Sequence, residues 1–154
     1  KKIFRKKMPR DKKKYQLDDE KKIKLIQGSQ IINLATINKD GTPHLVPMWF
    51  IVDENNEINF TSYNKSQKII NLKRDKRIVL MLEAGTKYNE LHGLIIQGDA
   101  EISSDKELII QNINQINKKY KSSRTIEDVR KHAEKRVNVK VKVKKIISWD
   151  IGKS

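Results

Sequence analysis

The sequence predicts a mainly β domain with helical cover, built as a six-stranded antiparallel barrel, closed or split. Three observations carry that expectation. Apolar runs such as "QIINLATIN" and "PHLVPMWFIV" follow one another across tight turn signals such as "KDGT", the pattern of hairpins. One short stretch at helical spacing, "KSQKIINLKR", interrupts them. Near the end, "VNVKVKVKK" alternates valine with lysine as a half-exposed strand does. Strands joined directly by tight turns argue against a doubly wound sheet, which needs long crossovers between parallel strands.

Each element follows from its own residues. "LDDEKKIKLIQGS" has an acidic start, Leu17, Ile23 and Ile26 on one face and Gly28 at its close, so it reads as a first helix. Three strand-like runs come next: "QIINLATIN", "PHLVPMWFIV" and "EINFTS", separated by "KDGT" and "DENNE". The inserted helix, with Ile69 and Leu72 at helical spacing, precedes "RIVLMLE" and "LHGLIIQGDAEI", which "AGTKYNE" divides. "SDKELIIQNINQINKKY" sets Leu108, Ile109, Ile113 and Ile116 near helical spacing behind Ser104 or Asp105 as cap, and "TIEDVRKHAEKR" continues in helical style. The last strand places Val137, Val139, Val141 and Val143 on one face, with lysines guarding the other face and an edge.

Length and charge limit what such a domain does. At 154 residues the chain suits one domain, expected over 16–154 behind a basic arm over 1–15. It has no cysteine, which excludes disulfides, thiolate metal sites and thiol catalysis and fits a reducing cytoplasm. No uncharged apolar run reaches transmembrane length and no signal-peptide core is present, so no membrane partner is expected. The net charge of +15 asks for an anionic ligand. Nucleic acid is not the expected one, because the arm "KKIFRKKMPRDKKK" lacks the interleaved aromatics that stack bases. His44, His92 and His132 are scattered, so no metal site is expected, and neither a His-Glu-x-x-His motif nor a nucleophile elbow occurs.

Two local features point to a binding site. The inserted helix opens with Lys65, Ser66 and Lys68, although the positive end of the helix dipole disfavours cations there. Those lysines want an anion. Leu45, Val46, Met48, Trp49, Phe50 and Ile51 make one strand apolar on both faces, and Pro47 within it marks an edge or bulge. One face fills the barrel; the other needs a helix, a ligand or a second subunit. A homodimer is the preferred expectation.

The run "LATINKDGTPHLVPMWFIVDENNEINFTSYNKSQKIINLKRDKRIVLMLE", followed by "YNELHGLIIQGDAEI" and "VKVKKIISWD", resembles the pyridoxamine 5'-phosphate oxidase-like family of FMN-binding split barrels. It looks closest to the deazaflavin branch, whose members use coenzyme F420. The resemblance covers about residues 30–150 and implies a six-stranded split barrel, dimeric, with FMN or F420 in grooves at the subunit interface. It implies that Lys68, with Lys65 nearby, and the hydroxyls of Thr61 and Ser62 hold the cofactor phosphate, a donor set that suits a phosphate on chemical grounds as well. It implies that Val46, Pro47, Met48 and Trp49 lie along the ring. FMN-using oxidases of the family tend to carry an arginine-glutamine pair in the fifth strand, where this chain has His92 and Gly93; His92 is kept as a cofactor contact rather than a catalytic group. The activity implied is hydride transfer to or from a small organic substrate, chemistry that belongs to the cofactor while the protein orients and excludes water. The alternative is a carrier that binds flavin or a tetrapyrrole without turnover.

Overall fold

The computed structural model of the chain describes residues 15–153, so the basic arm expected over 1–15 lies outside it except for Tyr15. The first helix, α1 (Asp19–Gly28), starts where the Asp18 carboxylate accepts the Lys21 amide at 2.8 Å. Strand β1 (Ile32–Ile37) turns into β2 (Pro43–Met48) through Gly41, whose φ of 86° is a backbone state that glycine adopts freely. Then come β3 (Ile51–Val52), β4 (Ile58–Tyr63), helix α2 (Gln67–Arg74), β5 (Arg77–Ala84) and β6 (His92–Ser103). Helices α3 (Lys106–Lys119) and α4 (Ile126–Ala133) precede the long last strand, β7 (Arg136–Asp150).

All seven strands form one antiparallel sheet in the order β2-β1-β5-β6-β7-β4-β3. Its two edge strands, β2 and β3, are neighbours in sequence, separated only by Trp49 and Phe50. The sheet therefore curls until its edges adjoin: a split barrel, with Phe50, Phe60, Leu34, Leu80, Leu94, Ile96 and Val139 buried inside. Seven strands replace the six expected. The run "PHLVPMWFIV" reads as one strand, yet it leaves one edge of the sheet at Met48 and joins the other at Ile51. Pro47 sits on the β2 edge opposite Asn33, where a residue without an N–H costs no ladder bond.

The valine face of β7 is correct through Val141, but Val143 is 50% exposed. Strand β4 covers β7 only as far as Lys140, and a bulge opposite Gln97/Gly98 then shifts the alternation by one residue. A side chain on Gly98 would collide with the Lys142 carbonyl, which fixes glycine at the bulge. Lys140, Lys142 and Lys144 of β7 are paired: Lys140 with Asp53, Lys142 with Glu57 and Lys144 with Asp99.

Helix α3 packs on the outer face of β4 and β7 through buried amides. Asn112 donates to Asn138 at 2.7 Å and Asn138 to Asn59 at 2.9 Å. A smaller core of Ile109, Ile113, Val129 and Ala133 ties α4 to α3. Asp105, one of the two residues expected to do so, caps α3, and the Thr125 hydroxyl caps α4.

Candidate functional site

The site begins where the chain crosses from one sheet edge to the other. The Phe50 amide donates to the Tyr120 hydroxyl at 3.1 Å, and that hydroxyl donates to the Gln30 carbonyl at 2.6 Å. Lys119 donates to the Phe50 carbonyl at 2.9 Å while its ammonium sits 3.6 Å above the Phe50 ring. Backbone groups that belong to no ladder are thus satisfied by the end of α3. Burial lowers the Lys119 pKa and raises that of Tyr120, consistent with two polar heads drawn into the gap between the strands.

Beside this crossing lies a cavity of about 280 Å³, lined by Pro47, Met48, Trp49, Thr61, Ile113, Ile116, Asn117, Arg124, His132 and Arg136. Alternation along β4 explains which residues reach it. Phe60 faces the core, so Thr61 and Asn59 face α3 and Ser62 turns inward again. Arg136, across the ladder from Tyr63, shares the Thr61 side and donates to the Thr61 carbonyl at 3.3 Å.

The charges here are unusual. Burial, and then the nearby Arg136, lowers the Lys68 pKa; burial, Arg136 and Arg124 lower that of His132; burial and Arg124 lower that of Arg136. Lys68, His132 and Arg136 are half-buried. Among the described residues none of these groups, nor Arg124, forms an ion pair. Like charges drawn together without a counter-charge raise one another's cost, which a bound anion would relieve. The start of α2 adds to it. Ser66 makes no side-chain cap: its hydroxyl donates to the Tyr63 carbonyl and contacts Ser62 at 3.0 Å, and no acidic residue occupies the first turn.

The expected site residues divide accordingly. Pro47, Met48, Trp49 and Thr61 line one cavity; Lys68 is not among its lining residues but is close enough to Arg136, which is, to feel its charge. Val46 packs partly into the core, Ser62 is buried against Ser66, and Lys65 is exposed in the turn before α2. His92 lies in a different cavity with Lys21, Leu25, Asn89 and Asp150, its Nδ1 2.7 Å from the Glu90 carbonyl oxygen; within one chain it is not brought to the others. Its neighbour Gly93 is glycine for a packing reason, because a Cβ there would collide with the Trp149 ring and the Leu82 carbonyl. Sequence reasoning missed Arg124, Arg136 and Tyr120 and left His132 without a role. The only signal for Arg124, His132 and Arg136 is the density of cations in "SSRTIEDVRKHAEKR", which a solvated helix face also displays, and nothing near Tyr120 marks it.

Among the described residues, no helix is long and apolar enough to cross a membrane. No curated protein matches the chain. Among solved structures, the conserved hypothetical protein Rv2991 from Mycobacterium tuberculosis is 33% identical, with a TM-score of 0.83 over 91% of this chain and 89% of that one. An F420 reductase is 24% identical, with a TM-score of 0.66 over 79% of this chain and 92% of its own. HutZ, the heme storage protein of Vibrio cholerae, is 13% identical with a TM-score of 0.69 over 87% and 97%; these last two likenesses show the fold alone. The sequence pattern of the family described as pyridoxamine 5'-phosphate oxidase matches residues 19–150, nearly the whole described domain. From its first helix to the end of its last strand, the chain belongs to the pyridoxamine 5'-phosphate oxidase family.

Proposed function

We propose that the protein is a flavin- or deazaflavin-dependent oxidoreductase that binds FMN or coenzyme F420 and acts on a small organic substrate. The carrying observation is the set of cations without carboxylate partners, Lys68 and Arg136 above all, around Thr61 and the uncapped start of α2. That donor set suits a phosphate, which takes an ammonium, a guanidinium, a hydroxyl and helix N–H groups alike. Pro47, Met48 and Trp49 then offer an apolar wall along a ring, and the exposed edge of β2 offers backbone groups to its polar rim. When bound, such a ring supplies the hydride chemistry. The chain's own part is to anchor the phosphate, orient the ring and exclude water with Ile113 and Ile116.

A homodimer belongs to this reading. The register aligns Pro47, Asn33, Met81, Ile95 and Ile147 across five strands, and Leu45, Ala35 and Val79 beside them. On this outer face Leu45 is 69% exposed and Trp49, at its border with the cavity, 47%. An apolar face of that breadth favours burial against a second copy, and Pro47 and Trp49 would serve both surfaces. The packing of Gly93 under Trp149 leaves no room for the glutamine of FMN-using oxidases, which supports the deazaflavin branch.

The test is spectroscopic. Purified protein loaded with either cofactor should be bleached by a reductant and recoloured by an organic acceptor. A chromophore that is bound but inert to every acceptor tried would favour a carrier instead.

A further inference from the structure

The phosphate anchor and the ring wall of the groove stand on different elements. Lys68 belongs to α2, whereas Pro47 and Met48 belong to β2, an edge strand paired only with β1 among the described residues. The place of one half relative to the other is therefore set where α2 meets β1, and a polar side chain makes that contact. Asn71, fully buried on α2 beside the core residues Ile69 and Leu72, donates to the Thr36 hydroxyl at 3.0 Å and to the Asn38 side-chain oxygen at 2.9 Å. Its own oxygen accepts from the side-chain amide of Gln67, the first residue of α2, at 2.8 Å and from the guanidinium of Arg74, the last, at 3.1 Å. We propose that Asn71 is a positioning residue, which fixes α2 on β1 so that Lys68 and the Pro47–Met48 wall stand at the spacing one ligand needs.

An apolar side chain would fill this place at a smaller desolvation cost. An amide with both its hydrogens and its oxygen engaged instead admits one arrangement of its partners. Those partners lie at the end of β1, in the turn after it and at both ends of α2, and Arg74 adds a bond to the Ile37 carbonyl. A slide or rotation of α2 on β1 breaks several of these bonds at once, whereas the apolar contacts of Ile69 and Leu72 are non-directional and lose little. From this contact the two halves follow. The β1 ladder sets Ile32 opposite Met48 and Asn33 opposite Pro47, and Lys68 directly follows Gln67. A ligand gripped at both ends gains most when their spacing is fixed before it arrives.

This role rests on the groove being the cofactor site, and the experiment tells the two apart. Asn71→Asp keeps an oxygen for Gln67 and Arg74 and loses both donations to the β1 side. Thr36→Val removes one acceptor from that side and leaves α2 untouched; Thr36→Ser keeps it. The full chain of each is titrated with inorganic phosphate, with riboflavin and with FMN, or with coenzyme F420 and its phosphate-free ring alcohol where the parent prefers them, alongside thermal unfolding. Phosphate alone and the ring alone should bind Asn71→Asp and Thr36→Val within about twofold of the parent, while the whole cofactor binds about tenfold more weakly. Thr36→Ser should bind it as the parent does, and the two disruptive substitutions together should cost less than the product of their separate effects, because they break one link. Should Asn71→Asp not fold, Thr36→Val decides alone. Unchanged cofactor affinity would overturn the proposal, as would equal losses for all three ligands, the mark of a merely destabilised fold. A parent that binds neither FMN nor F420 would instead sink the cofactor reading and the positioning role with it.

Discussion

Trp49 and Tyr120 stack face to face, their centroids 4.2 Å apart and their planes within 7°. The same tyrosine bonds Phe50 and Gln30 through its hydroxyl, so one side chain pins the point where the chain changes sheet edge and fixes the aromatic wall of the groove. Tyr120→Phe should keep the stack and lose the bonds, leaving the Phe50 amide without an acceptor. The expected cost is about 1–2 kcal/mol in denaturant unfolding. Tyr120→Ala should cost more, by about 0.5–1.5 kcal/mol for the lost stack plus its burial, and should also loosen ligand binding. Equal stability of the two variants would mean that the stack contributes nothing.

Lys68→Ala removes a charge-assisted phosphate contact worth about 1.5–3 kcal/mol, so cofactor affinity should fall roughly tenfold to a hundredfold. Without ligand the variant should fold as well as the parent or slightly better, because an unpaired cation leaves the positive end of α2. Thr61→Val should weaken binding less, a neutral hydroxyl being the poorer donor. Fluorescence titration and thermal unfolding measure both effects.

The pH dependence of stability should expose His132. Its pKa is held below 6.5 by burial and by Arg136 and Arg124. Above that pH neither the folded nor the unfolded chain carries the proton. As pH falls below about 6.5 the unfolded chain binds it first, so stability drops until the folded pKa is reached. His132→Gln should flatten that part of the profile. Phosphate, by favouring the imidazolium, should stabilise the parent more at pH 5.5 than at pH 8; a phosphate effect that shrinks with acidification would contradict this.

An aspartate at Leu45 or Val79, both exposed on the outer sheet face, should scarcely alter the fold of one chain. In a dimer built on that face it should cause dissociation visible by sedimentation, and cofactor affinity should fall with it. Cofactor retained at full affinity on a demonstrated monomer would separate the groove from the interface.

Most of the fold was legible because it depends on local signals. Asp40-Gly41 sets a hairpin, Asp105 caps a helix, and Val137, Val139 and Val141 alternate into the core. What escaped depends on partners far away in sequence. Nothing near Trp49 announces that the strand breaks there, because Lys119 and Tyr120 satisfy the Phe50 backbone across some seventy residues. Val143 follows the alternation of its strand and is exposed where β4 no longer covers β7, just before the bulge opposite Gln97/Gly98. The site was legible in half for the same reason: Lys68 stands out against the dipole of its own helix, whereas Arg124, His132 and Arg136 become a cluster only once α4 is folded against α3.

In the proposed function, Lys68 and its neighbours hold the phosphate of a flavin-type cofactor. Equilibrium titration of the full chain with FMN and with coenzyme F420, on the parent and on Lys68→Ala, tests it most directly, with Lys142→Ala as the control whose lysine is paired to Glu57. Saturable binding of at least one of the two to the parent and to the control is expected, weakened about tenfold or more by Lys68→Ala. Binding of neither, or equal binding by all three proteins, would contradict it.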